Sequence, residues 1–117
     1  MTRGALGEQL AEEFLTAHGY QITARNFRTR FGEIDRIAEK DGFLVFVEVK
    51  LRKGMRFGAA CEAVGPAKQK KLILAAEEWL STHPTGLQPR FDVIEVYLPE
   101  QAQTPSTIHH LENAFDA

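Results

Sequence analysis

The run Phe43–Arg52, F-L-V-F-V-E-V-K-L-R, constrains the fold more than any other stretch of the chain. Phe43 to Val47 are apolar at every position, the pattern of a strand covered on both faces in the middle of a sheet. Charge then enters with a period of two: Glu48 and Lys50 fall on one face, Val49 and Leu51 on the other. Glu and Lys are almost never fully buried without a partner or a ligand. Two accounts are open: the strand reaches solvent at Glu48 and E-V-K is its wet end, or the charges border a site.

The residues just upstream bear on that choice. Glu33–Ala38 reads as a strand, and strict alternation puts Glu33, Asp35 and Ile37 on one face and Ile34, Arg36 and Ala38 on the other. Lys40-Asp41-Gly42 is a hairpin signal, because Asp-Gly accepts the positive φ angles of a tight turn. The two strands are then antiparallel, and Asp35 and Glu48, six and seven residues from Asp41, come to lie side by side. Two carboxylates so placed repel each other unless a cation sits between them.

The remaining segments read as an α/β arrangement. Residues 4–18 form an amphipathic helix with Leu6, Leu10, Ala11, Phe14 and Leu15 inward and Gly19 as its stop. Glu8 lies about 20° from Leu15 on the helical wheel, at the edge of the buried stripe; it either leans toward the sheet or is a rim glutamate near the helix N-terminus. Tyr20–Phe27 is a first strand in which Tyr20, Ile22 and Ala24 alternate with polar neighbours. A basic loop follows Arg52, Ala59–Val64 forms a short helix, and Pro66 opens a longer helix that runs to about Ser81. Its apolar face is Leu72, Ile73, Ala76, Trp79 and Leu80; Lys68 and Gln69 continue that face toward the sheet, and Lys70 and Lys71 point away. Arg90–Leu98 is a further strand, Pro99–Thr107 an exposed connection, and Ile108–Leu111 an edge strand. His109 and His110 are adjacent, so on a strand they point to opposite faces and do not share a metal.

At 117 residues the sequence is expected to form one domain, residues 1–117. No apolar run is long enough for a membrane helix, and glutamates occupy the position of a signal-peptide core. Cys61 is the only cysteine, which excludes an intrachain disulfide and a cysteine-rich zinc site and suits the cytoplasm. Arg25 to Arg56 hold nine Lys/Arg against five Asp/Glu, whereas the chain as a whole has a net charge of −2. That asymmetry suits a polyanion-facing surface; its alternative is ordinary mixed surface charge.

These side chains suit phosphodiester hydrolysis, which needs an activated water and stabilisation of the charge that develops on phosphate and leaving oxygen. Asp35 and Glu48 can hold Mg²⁺, with the Val49 backbone carbonyl as a further ligand and Glu8 completing the set directly or through water. Lys50 would supply positive charge in the transition state or orient the water.

Asp35 followed by Glu48-Val49-Lys50 resembles the D…(D/E)-x-K motif of the PD-(D/E)xK nuclease superfamily. Further blocks are G-x-x-G-E-x-x-A at Gly4–Ala11, R-N-F-R at Arg25–Arg28, G-E-I-D at Gly32–Asp35 and V-F-V-E-V-K-x-R at Val45–Arg52. With F-G-x-x-x-E-A-V at Phe57–Val64 and R-F-D-V-I at Arg90–Ile94, they resemble the bacterial YraN-type proteins, a group similar to archaeal Holliday junction resolvases. Ile34 stands where the motif name has proline.

The resemblance implies a restriction-endonuclease-like core, a mixed central sheet flanked by helices, and a metal-dependent nuclease acting on branched or structured DNA. Asp35 and Glu48 would be metal ligands for Mg²⁺ or Mn²⁺, Lys50 the catalytic lysine, Glu8 the helix carboxylate, and Lys68, or else Gln69, an auxiliary residue. It also implies a homodimer, since a junction presents two symmetric strands. Arg25, Arg28, Arg30, Arg52, Lys53 and Arg56 are the candidate DNA contacts, neutralising phosphates without reading sequence. Two alternatives remain: a DNA-binding module with the nuclease fold but no cleavage, and an adaptor whose charged cluster is a closed ion network.

Overall fold

The computed structural model describes residues 1–53 and 64–117. The order of elements is α1 (Arg3–Ala17), β1 (Gln21–Arg28), β2 (Glu33–Lys40), β3 (Phe43–Arg52), α2 (Pro66–Thr82), β4 (Gln88–Tyr97) and β5 (Thr107–Phe115). The strands form one mixed sheet in the order β1-β2-β3-β4-β5. All neighbouring pairs are antiparallel except β3 and β4, which are parallel and joined through α2. This α/β fold is compatible with the restriction-endonuclease-like core expected from the sequence. The short helix expected over Ala59–Val64 falls almost wholly outside the described residues, as does Arg56.

β3 occupies the centre because its apolar residues are covered twice. Leu44 and Phe46 pack with Leu72, Ala75, Ala76 and Trp79 of α2, while Val45 and Val47 pack with Ala11 and Leu15 of α1. Burying such side chains contributes roughly 1.5–3 kcal/mol each, which leaves β3 no comparable position at an edge. Gly7 lets α1 settle closely on this strand: a Cβ there would meet Leu51 Cδ1 at 3.2 Å. Trp79 belongs to the core, edge-on to Phe27 at 5.1 Å and stacked on His83 at 3.6 Å. The hairpin turn is Asp41-Gly42, with φ of 52° and 84°, as Asp-Gly in a type I′ turn requires.

Strict alternation fails once in β2 and twice in β1. Ile34 and Ile37, expected on opposite faces, both pack on the α2 side, whereas Arg36 and Ala38 lie on the α1 side. β1 changes face opposite them: Ala24 and Phe27 join the α2 side, while Tyr20 and Ile22 join the α1 side. The paired strands switch together around Asn26, whose φ is +49°, and Asp35. The β1–β2 register also slips by one residue between Ile22 and Ala24, so Ala24 does not share a face with Tyr20 and Ile22.

Candidate active site

The face switch in β2 creates the opening that the carboxylates occupy. β2 and β3 pair from Lys40 opposite Phe43 to Arg36 opposite Val47, and the ladder stops one step short of Asp35 and Glu48. There the Asp35 side chain takes over from the backbone, and its Oδ2 accepts the Val49 N–H at 2.8 Å. Val49 therefore turns its backbone toward Asp35, and its carbonyl shares that side of the strand. Glu48, on the α2 face and only 7% exposed, is close enough to Asp35 for a hydrogen bond between the carboxyls. Lys68, one turn into α2, places Nζ 3.6 Å from Glu48 Oε2.

The electrostatics follow from that crowding. Asp35 is pushed up to about 7, first by burial, next by the charge of Glu48, and further by Glu8 and by its hydrogen bond with Glu48; the Val49 N–H pulls the other way. Glu48 Oε2 is buried without a hydrogen-bond partner. A buried carboxylate oxygen with no hydrogen bond needs an explanation, and a bound cation would supply one. The donors here are all oxygen, which suits a hard divalent ion. Among the described residues no three of His, Cys, Asp and Glu converge on one ion position. Mg²⁺ does not need three, since it is often held by one or two carboxylates with water and substrate phosphate filling the rest of its shell. The pair Asp35 and Glu48 fits that mode.

The other expected residues are distributed unevenly around this pair. Lys50 lies on the face of Glu48, half-buried, opposite Glu95 of β4. Glu8 is near enough to raise Asp35 by its charge, but its Oε1 accepts from Asn26 Nδ2 at 2.7 Å and Arg36 Nη1 at 3.1 Å. Gln69 turns back to donate to the Val64 carbonyl at 2.9 Å. Among the arginines, Arg25 is closed by a two-pronged pair with Glu12 at 2.7 and 2.8 Å. Arg28 stands 3.6 Å from Glu33, Arg30 lies over the Phe31 ring, Arg52 bonds Glu95 at 3.1 Å, and Lys53 is exposed.

The chain matches the model of the uncharacterised protein family UPF0102 over residues 7–96. It belongs to the UPF0102 family. This is the YraN-type group that the motif blocks resemble. A UPF0102 protein of Caldanaerobacter subterraneus subsp. tengcongensis is 43% identical over 115 residues, covering 97% of this chain and 94% of that one. One from Symbiobacterium thermophilum is 55% identical over 94 residues, 80% of each chain, and one from Rhodococcus opacus is 44% identical over 115 residues, covering 96% and 94%. None of these names states an activity, so the chemistry has to be argued from the UPF0102 site itself.

Sequence reasoning passed over two buried acids of β4. Asp92 is bound by Arg90, His110 and the Asn113 N–H on the α1 side of the sheet, and Glu95 by Arg52 and His109 on the α2 side. The two histidines thus face opposite ways, as adjacent strand residues must. The signal for both acids was present in R-F-D-V-I-E-V-Y-L, where a carboxylate twice interrupts an otherwise apolar run. No helix among the described residues is long and apolar enough to cross a membrane.

Proposed function

We propose that this UPF0102 protein is a metal-dependent nuclease that hydrolyses phosphodiester bonds in branched or otherwise structured DNA. The observation that carries this reading is Glu48 Oε2, a buried carboxylate oxygen with no hydrogen-bond partner, pressed against Asp35 where two strands part. Asp35 and Glu48 would hold Mg²⁺ or Mn²⁺, with the Val49 carbonyl on the same side of the strand. The ion, when bound, polarises the phosphate and lowers the pKa of a coordinated water. Lys50 sets an ammonium on the face of Glu48, where it stabilises charge on the attacked phosphate. Lys68, with Nζ 3.6 Å from Glu48 Oε2, balances the charge of that carboxylate. Glu8 acts from the rim, through its charge on Asp35 and its hold on Asn26 and Arg36. Arg28, Arg30, Arg52 and Lys53 offer phosphate contacts without base reading, and Arg25 is already neutralised by Glu12.

The test is incubation with labelled four-way junction, flap, single-stranded and duplex DNA in Mg²⁺ or Mn²⁺. Cleavage that disappears in Glu48→Ala while binding persists is the expected result. Binding without cleavage in the wild type identifies a non-catalytic DNA-binding module, and absence of both removes DNA from the account. Sedimentation of the protein alone and on a junction reports whether it works as a homodimer.

A further inference from the structure

Glu95 is fully buried, yet it lies in the middle of β4 between Ile94 and Val96, which pack beneath α1. Its own side chain faces the other way, onto the α2 side shared by Phe91 and Val93. In register it stands opposite Lys50 on β3 and His109 on β5. Oε2 accepts from Arg52 Nε at 3.1 Å, and Oε1 lies 3.4 Å from His109 Nδ1. A buried ion pair is weak evidence for stability, because well-packed apolar side chains often serve the fold as well. The pair needs another reason.

Arg52 supplies one. Its side chain is 39% exposed, so the guanidinium reaches solvent while its Nε is tied to a buried acid. Among the described residues no acceptor takes the N–H groups of the two terminal nitrogens, which remain as a fixed fork. That planar fork matches phosphate oxygens, and a fork already oriented loses less freedom on binding. Other arginines differ: Arg25 closes its fork on Glu12, Arg90 closes its own on Asp92, and Arg28 is 80% exposed. Arg52 also lies on the face of Glu48, four residues on, or about 13 Å at strand spacing.

The geometry points to Glu95 as a positioning residue that fixes Arg52 as a clamp for a backbone phosphate of a nucleic-acid strand crossing Glu48 and Lys50. This rests on the nuclease reading and adds to it a contact that orients the strand. The recognised group is the phosphodiester itself.

The test measures binding of a labelled four-way junction in EDTA, so that cleavage does not intervene, between 50 and 200 mM salt (the range over which phosphate contacts are read, in order of magnitude). Glu95→Gln separates two outcomes by sign. Removing a negative charge tightens DNA binding if Glu95 acts only through net charge; exchanging the charge-assisted bond to Arg52 Nε for a weaker neutral one loosens the clamp and weakens binding, by roughly tenfold. Arg52→Ala should weaken binding similarly and reduce the salt slope by about one. The double variant should be no weaker than Arg52→Ala alone. In Mg²⁺, Glu95→Gln should raise KM and leave kcat near the wild-type value. If Glu95→Gln does not fold, Arg52→Lys keeps the charge, loses the Nε link, and should weaken binding as Arg52→Ala does. Wild-type affinity or tighter in Glu95→Gln, or wild-type affinity in Arg52→Lys, overturns the positioning role alone. A wild-type protein that binds no DNA overturns the nuclease reading and this inference together.

Discussion

Without a cation, the pairing of Asp35 with Glu48 opposes folding at high pH, and Asp35→Asn should relieve it. The folded Asp35 carboxyl is raised to about 7 from an ordinary value of 3.8. Between those values the native state holds a proton that the unfolded chain has released. Stability is therefore highest below the unfolded value and falls as pH rises, with the full penalty present above the folded value. At 1.36 kcal/mol per pH unit, a shift of about three units is worth on the order of 4 kcal/mol. The proton belongs to the pair, and an amide is still a polar group to bury, so Asp35→Asn recovers about half of this, ~2 kcal/mol. The amide oxygen can still accept the Val49 N–H, and its NH₂ can donate to Glu48.

The assay is urea unfolding in EDTA at pH 4 and pH 8. With a urea slope of about 2 kcal/mol per molar, the Asp35→Asn midpoint should rise by about 1 M at pH 8 and stay near wild type at pH 4. Mg²⁺ at ten times its dissociation constant should stabilise the wild type by about 1.4 kcal/mol and leave Asp35→Asn unmoved. A variant less stable than wild type at pH 8, or a gain equal at both pH values, refutes the idea that the carboxylates are held in mutual repulsion.

Other substitutions separate the site from the scaffold. Lys68→Ala should reduce cleavage about tenfold to a hundredfold in single-turnover assays while junction affinity changes little, because it removes the only cation paired with Glu48 among the described residues. Arg36→Met should lower stability by about 3 kcal/mol in urea, since Arg36 is 6% exposed and joins Glu8 to Glu12. Asp92→Asn should destabilise above pH 5 by roughly 3 kcal/mol and lose that effect in acid. The sign follows from a carboxyl that burial pushes up but bonds from His110, Arg90 and Asn113 hold below the ordinary range, so its contribution disappears as pH falls through the folded value.

The apolar run of β3, the Asp-Gly turn and the pairing they force were legible from residue type alone. From them came the meeting of Asp35 and Glu48. Lys68 was legible in part, because one helical turn separates it from Leu72. The switch of face at Asn26 and Asp35 was not, because it arises from two strands adjusting together and neither carries a glycine or proline at that point. Arg36 shows the consequence: its side chain goes to the α1 side and engages Glu8 and Glu12, which gives Glu8 a partner that helical periodicity could not supply. Ion pairs such as Arg25 with Glu12 and Arg52 with Glu95 join residues 13 and 43 positions apart, beyond any local pattern.

Burial of an acid does not by itself distinguish a site from a strut, and this sheet contains both. Asp92 is 1% exposed and accepts two bonds from Arg90, one from His110 and one from the Asn113 N–H, so its charge is answered on every side. Asp35 accepts one backbone N–H and faces a second carboxylate, and the neighbouring Glu48 Oε2 has the Lys68 ammonium at 3.6 Å but accepts no hydrogen bond. The two aspartates are therefore displaced in opposite directions from the same ordinary value. Evolution of a stable fold alone has no use for the second arrangement, because an asparagine at position 35 would satisfy Val49 and end the repulsion. A carboxylate at position 35 costs the fold stability, and binding of a divalent cation, as proposed above, would offset that cost.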